Sequence, residues 1–288
     1  MRKVAVLTDS ASDIPEEMRV KYGIDIMNFT ISLDDVSYEE RKDFTNDEYY
    51  DMLRNANGMP STAHITTIQF LEKYAEYAAA GYTDVLHVSI NSGGSNTYNA
   101  ALMAAQQLKE EIPGCKLRVH LVDSHTYSMP YGYYVCQAAR KLINGAELKQ
   151  VIDDLEADFA TAEIAVSVFS LKFIKKSGRV SAAAAFAGEL LGLRPIITIN
   201  DGETAVVNKV RGDKNVLPAL LAHAVKHRVG EREYMIGTTD MQTAQEFSKM
   251  CKKEFGEAPA CVFKLGAAVA SNTGPDAIAI VYHGEKRR

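Results

Sequence analysis

The chain has 288 residues, 47% hydrophobic and 24% charged, a balance that suits one large or two ordinary globular domains and excludes disorder. A net charge of -5 gives no basic excess for nucleic acid or an anionic membrane, and the absence of Trp weakens any base-stacking surface. The four cysteines, Cys115, Cys136, Cys251 and Cys261, form no CxxC pair, so free thiols in a reducing cytoplasm are the expectation.

The opening "MRKVAVLTDSASD" is broken by Asp9 too early for a secretory leader. No later run approaches the ~18 apolar residues of a membrane span. "KVAVLTD" predicts a strand, and "SASDIPEEMRVKYG" a helix with Asp13 as cap, Pro15 in the first turn, acids beside the dipole and Gly23 at its end. "IDIMNFTISL" reads as a second strand, "TNDEYYDMLRNANG" as a Thr/Asn-capped helix, and "PSTAHITT" as a polar patch before another helix. "DVLHVSI", a helix from "NTYNAALMAAQQLKEEI", the strand "KLRVHLVDS" and two helices up to residue 161 complete an alternation. Such alternation implies a mostly parallel sheet covered by helices.

Beyond residue 161 the pattern changes to a mixed α+β one, so domains are expected at 1–161 and 162–288. "EIAVSVFSL" is a strand, "SAAAAFAGELLG" an Ala-rich helix whose run Ala182–Ala185 leaves room beside it, and "RPIITINDGETAVVNKVRG" a hairpin across Asp201-Gly202. A helix at 213–228, the strand "YMIGTTD", a helix at 241–256 and the strands "PACVFKLG" and "AIAIVYH" follow.

Ligands of α/β sheets bind beyond the carboxyl ends of the strands. Three polar turns fall there: "TDSASD", "INSGGSNTYNA" and "DSHTYSMPYG". The second lacks both a Walker Lys and GxGxxG, yet sets Ser95 before the N–H groups of Asn96 and Thr97, an arrangement that suits one negative charge. Ser92 or Ser95 acting as an ordinary helix cap explains the same residues. Asp9 and Asp13 read either as an acid pair or as local caps, with capping the simpler account. No GxSxG elbow, triad or metal cluster occurs, and His223 and His227, four apart without the HExxH glutamate, read as a solvated helix face. Lys172, Lys175, Lys176 and Arg179, with Lys209 and Arg211, form a basic rim beside the apolar stretch, a candidate docking face in an acidic chain.

Six segments in register resemble the DegV family of bacterial fatty-acid-binding proteins. "VAVLTDSASDIP" is similar to the family's TDSxxDLP, "PSTAHIT" to PxTSQPS, "SGGSNTY" to SxLSGTY, "DSHTYSMPYG" to DSxxxSxGxG, and "SNTGPDA" to THTGPGA. The block from "LKFIKKSGRV" to "VVNKVRG" matches at greatest length. The resemblance implies a two-domain α/β fold and a long-chain fatty acid such as palmitate, stearate or oleate in a buried tunnel. It implies a non-enzymatic carrier without cofactor or metal that presents the carboxylate to an ATP-dependent fatty acid kinase subunit. Carried over, carboxylate binding falls on Thr62, Ser95 and Asn96, with Asn272 where the family has His. His64 is a further candidate, and Arg179 and Arg211 are assigned to partner docking. The chain also departs from the pattern at Ala63, His64, Asn96 and Asp276. The alternatives are a phosphoryl- or acyl-transfer enzyme, or a binder of another apolar carboxylic acid.

Overall fold

A computed structural model describes residues 3–179 and 192–286. Residues 181–191 of the expected Ala-rich helix, with the run Ala182–Ala185, fall in the block outside the described residues. The chain forms two compact units, Met1–Thr30 with Ala63–Phe159, and Ile31–Thr62 with Ala160–Arg288.

The first unit is built on a four-stranded parallel sheet, in the order β2-β1-β6-β7, from β1 (Val4–Asp9), β2 (Ile24–Met27), β6 (Asp84–Ser89) and β7 (Arg118–Asp123). β1 and β6 are buried along almost their whole length, which is why they read as apolar runs without alternation. The helices of this unit are α1 (Glu16–Tyr22), α3 (Thr67–Ala79), α4 (Thr97–Glu111), α5 (Met129–Ile143) and α6 (Leu148–Phe159). Gly23 ends α1 in the left-handed conformation (φ 60°), as the sequence predicts. Asp13 does not cap that helix. Pro15 is its N-cap residue, and the Asp13 carboxylate accepts a hydrogen bond from the Ser128 hydroxyl instead.

The second unit holds a six-stranded mixed sheet, β10-β9-β8-β13-β11-β12. Its strands are β8 (Ala162–Val168), β9 (Leu193–Asn200), β10 (Glu203–Arg211), β11 (Met235–Thr238), β12 (Cys261–Lys264) and β13 (Ala277–His283). β9 and β10 pair antiparallel with Asn200 opposite Glu203, so Asp201 and Gly202 form the two-residue turn. Both take positive φ, 53° and 77°, the backbone that matches the twist of a hairpin. Against the sheet pack α8 (Val216–His227) and α9 (Met241–Phe255), through Leu220, Ala224, Phe247 and Cys251 onto Ile196, Ile236, Ile278 and Ile280.

Residues 31–62 lie in this second unit, not with the N-terminal block that a single cut near residue 161 assigns. The run "IDIMNFTISL" is also two strands, β2 and β3 (Thr30–Leu33), which belong to different sheets. β3 forms a small sheet, β4-β3-β5, with β4 (Val36–Glu39) and β5 (Ser61–Ala63). The reason is packing: Ile31, Leu33, Tyr49, Tyr50 and Leu53 bury one cluster with Phe173, Ala267 and Ala270. These come from β3, from α2 (Asn46–Asn55), from α7 (Leu171–Ser177) and from α10 (Ala267–Thr273).

Candidate functional site

In the first unit β1 lies between β2 and β6, so successive connections leave it in opposite directions and open a crevice at the carboxyl ends of the strands. The three polar turns border it. Asp9, the last residue of β1, is fully buried; one carboxylate oxygen accepts the Ile90 N–H at 2.9 Å and the other the Tyr131 hydroxyl at 2.6 Å. With Asp13 held by Ser128, both acids tie the first turn to its neighbours.

The second turn is folded around Asn91. Its side-chain oxygen accepts the Gly93 N–H at 3.1 Å, its amide donates to the Tyr127 hydroxyl at 2.8 Å, and its backbone carbonyl accepts the Gly94 and Ser95 N–H groups. A side chain at Gly94 would collide with the Tyr127 ring, so only glycine permits this approach. Asp123 at the end of β7 accepts the N–H groups of Ser92, at 3.2 Å, and of His125, at 2.9 Å, joining the second turn to the third.

Ser95 is half-buried at the start of α4. Its hydroxyl shares a hydrogen bond with the Thr97 hydroxyl at 2.9 Å and accepts the Thr97 N–H at 3.4 Å, but the N-cap residue of α4 is Asn96, which makes no side-chain cap bond, so neither Ser92 nor Ser95 is the cap. Asn96 is exposed, with its amide nitrogen 3.4 Å from Nε2 of His64 and its oxygen accepting from Asn99. His64 precedes α3, whose start is fixed by a capping box between Thr66 and Gln69. The first unit therefore brings Ser95, Asn96 and His64 together.

Thr62 and Asn272 belong to the second unit, Thr62 half-buried on β5 and Asn272 half-buried on α10. The Asn272 amide donates to the Ala268 carbonyl of its own helix at 2.8 Å, which leaves its oxygen and a second N–H for other partners. Three residues of the 31–62 segment fix α10. A Glu40 carboxylate oxygen accepts the Ala268 N–H at 2.7 Å, the Tyr49 hydroxyl pairs with Ser271 at 2.6 Å, and the Tyr50 hydroxyl donates to the Leu265 carbonyl. Burial raises the Tyr49 pKa, which keeps its proton in place. Sequence reasoning missed Glu40, Tyr49 and Tyr127; the Tyr-Tyr pair in a capped helix was the available signal for Tyr49, and nothing local marks Glu40.

Arg179 and Arg211 are exposed in the second unit. The Arg179 guanidinium donates to the Ser177 carbonyl and its own carbonyl accepts the Thr204 hydroxyl, while Arg211 ends β10. Lys175 and Lys176 are exposed on α7 and Lys209 on β10. Among the described residues no group of three or more His, Cys, Asp or Glu side chains is arranged to hold a metal, and no helix is long and apolar enough to cross a membrane.

The family described as "Uncharacterised protein, DegV family" matches residues 3–285. A DegV domain-containing protein of Caldanaerobacter subterraneus subsp. tengcongensis is 27% identical over 285 residues, covering 98% of this chain and 99% of that protein. Among solved structures, a fatty-acid-binding DegV family protein from Thermus thermophilus is similar at 27% identity and TM-score 0.85, over 99% of this chain and 100% of that one. A DegV family protein from Eubacterium eligens, loaded with heptadecanoic acid, is similar at 26% identity and TM-score 0.80, over 98% and 100%.

Proposed function

This chain belongs to the DegV family, and from that premise we propose that it binds a long-chain fatty acid in a buried tunnel and presents the carboxylate to an ATP-dependent kinase subunit for acyl-phosphate formation. It acts as a cytoplasmic carrier, not as an enzyme. The observation that carries the reading is full-length similarity to the Thermus thermophilus and Eubacterium eligens proteins, whose fatty-acid binding is on record. Each buried CH₂ contributes ~0.8 kcal/mol, so a tail of about sixteen carbons yields on the order of 10 kcal/mol from burial, and the polar residues need only fix the head group. Thr62, Ser95, Asn96 and Asn272 contact the carboxylate, with His64 beside Asn96 as a further donor. Neutral donors and a helix N-terminus hold a carboxylate without a Lys or Arg, which keeps its oxygens open to a phosphoryl donor. Arg179 and Arg211 dock the kinase.

Asn272 favours one second reading. Where the family has an imidazole that can gain a proton near neutral pH, this chain has an amide that cannot, already bonded once to its own helix. A binder of a different apolar carboxylic acid is compatible with that change.

Organic extraction and mass spectrometry of the purified protein separates the readings. A copurifying or exchangeable long-chain fatty acid is expected, with content reduced in Ser95→Ala and retained when Arg179 and Arg211 are changed to Glu. A protein that carries no fatty acid and takes up none overturns the proposal, and a different acid in the extract favours the second reading. Unchanged loading of Ser95→Ala removes the role given to that residue.

A further inference from the structure

The α8 helix buries Val216, Leu217, Leu220 and Ala224 against the mixed sheet, and near its carboxyl end carries two histidines that the fatty-acid reading does not use. His223 and His227 are one turn apart, on the same side of the helix. Their rings stack with centroids 4.4 Å apart and planes 28° from parallel. Two imidazoles bound to one tetrahedral ion at a metal–nitrogen distance of about 2.1 Å have centroids about 5 Å apart. A shared ion lies in the plane of both rings, so the stacked pair must turn its ring planes apart to converge two nitrogens on it, a movement open to the exposed His227 side chain.

We infer that His223 and His227 form an open, two-imidazole site on α8 for a divalent ion of the zinc–nickel–copper class. His223 is half-buried against the Tyr282 ring of β13, 6.2 Å away, which limits the directions its ring can take. Burial first, then the neighbouring His227 and Lys226, lower its pKa. His227 borders a cavity of about 250 Å³ shared with Glu163, Lys226, Arg228, Val229 and Glu285. That space admits the waters that complete the coordination of an ion with two protein ligands. Two carboxylates line the same cavity, Glu163 from β8, which accepts the Tyr282 hydroxyl at 3.0 Å, and Glu285 after β13. Of the cations, Arg228 is committed to the Arg232 carbonyl and Glu257 and lies over the Phe255 ring, leaving Lys226 to oppose the ion. The missing HExxH glutamate removes a general base for hydrolysis, not the chelate itself. With two protein ligands the site is exchangeable, unlike the closed four-ligand sites that hold structural zinc.

The test is calorimetric titration of the full chain with Ni²⁺ alone, at pH 7.5 in a non-coordinating buffer, since imidazole suits nickel well. One saturable site of micromolar affinity is expected, weakened about tenfold or more in both His223→Ala and His227→Ala. The His120→Gln variant, at a half-buried histidine paired with Asp84 in the first unit, serves as the control and binds Ni²⁺ as the unaltered chain does. His227 is exposed, so His227→Gln keeps the fold and separates loss of a ligand from loss of structure. The proposal is overturned if the unaltered chain shows no saturable site, or if the His227 variants bind Ni²⁺ with the affinity of the unaltered chain.

Discussion

Gly132 shows how one residue sets the distance between a helix and a turn. It lies in the first turns of α5, where glycine is a poor helix former, and its own φ is not positive. What demands glycine is proximity: a Cβ there would overlap the backbone carbonyl oxygen of Ser12 and touch Ile14 at 3.0 Å. The obstructing atom is main chain in a buried 3-10 turn and cannot rotate aside. Gly132→Ala should therefore destabilise by about 1–3 kcal/mol, the usual cost of overpacking, despite the better helix propensity of Ala. Urea unfolding checks this, and a gain in midpoint, as expected for an ordinary helical glycine, would show that the turn can retreat. The same contact bears on the crevice, because α5 also supplies the Tyr131 hydroxyl that holds Asp9.

At the scale of elements, α10 depends on its neighbours more than on itself. Seven residues cannot sustain an isolated helix. Its start is met by the buried Glu40 carboxylate, and its middle by the Tyr49 hydroxyl on Ser271. Tyr49→Phe should cost about 1 kcal/mol, because Ser271 keeps its bond to the Ala267 carbonyl. Glu40→Ala should cost about 2–3 kcal/mol, because it strips a charged acceptor from a buried N–H. Chemical denaturation of the two variants reads the difference, and an equal effect would assign α10 to packing alone. This dependence also explains what sequence could and could not reveal. The Asp201-Gly202 hairpin, the Thr45–Glu48 capping box and the apolar strands of the parallel sheet are local in cause and readable from a few adjacent residues. Membership of residues 31–62 in the second unit rests on contacts such as Tyr49 with Ser271, 222 positions apart, which no local pattern encodes. The candidate carboxylate residues divide likewise: Ser95 announced itself by turn chemistry, whereas Thr62 and Asn272 were marked only by family resemblance.

For the whole molecule, the sign of its acid response distinguishes general charge from particular groups. The net charge is -5, so mild acidification brings the chain nearer neutrality and relaxes self-repulsion, which by itself favours the folded state. Each unit, however, buries a neutral histidine. His87 of the first unit packs against Phe70 and Tyr74, with Nδ1 bonded to the Tyr74 hydroxyl and Nε2 buried without a partner, and burial pushes its pKa down to about 3. His283 of the second unit pairs through Nδ1 with Thr161, and burial, then the charge of Arg232, lowers it to about 4. Unfolded, both titrate near 6.5, so below that pH the unfolded chain holds more protons and stability falls with pH. The loss begins near pH 6.5 and runs to about 4 for His283 and about 3 for His87, at about 1.4 kcal/mol per pH unit for each histidine. Carboxylates such as Asp240, held low by the hydroxyl and N–H of Thr243, add to the loss only toward the acid end. Calorimetry from pH 7.5 to 4.5 should show a falling Tm, with a shallower slope in His87→Gln and His283→Gln combined, even though that variant is less stable at pH 7.5. A Tm that rises on acidification would give control to net charge. A slope unchanged in the double variant would move the cause to other groups.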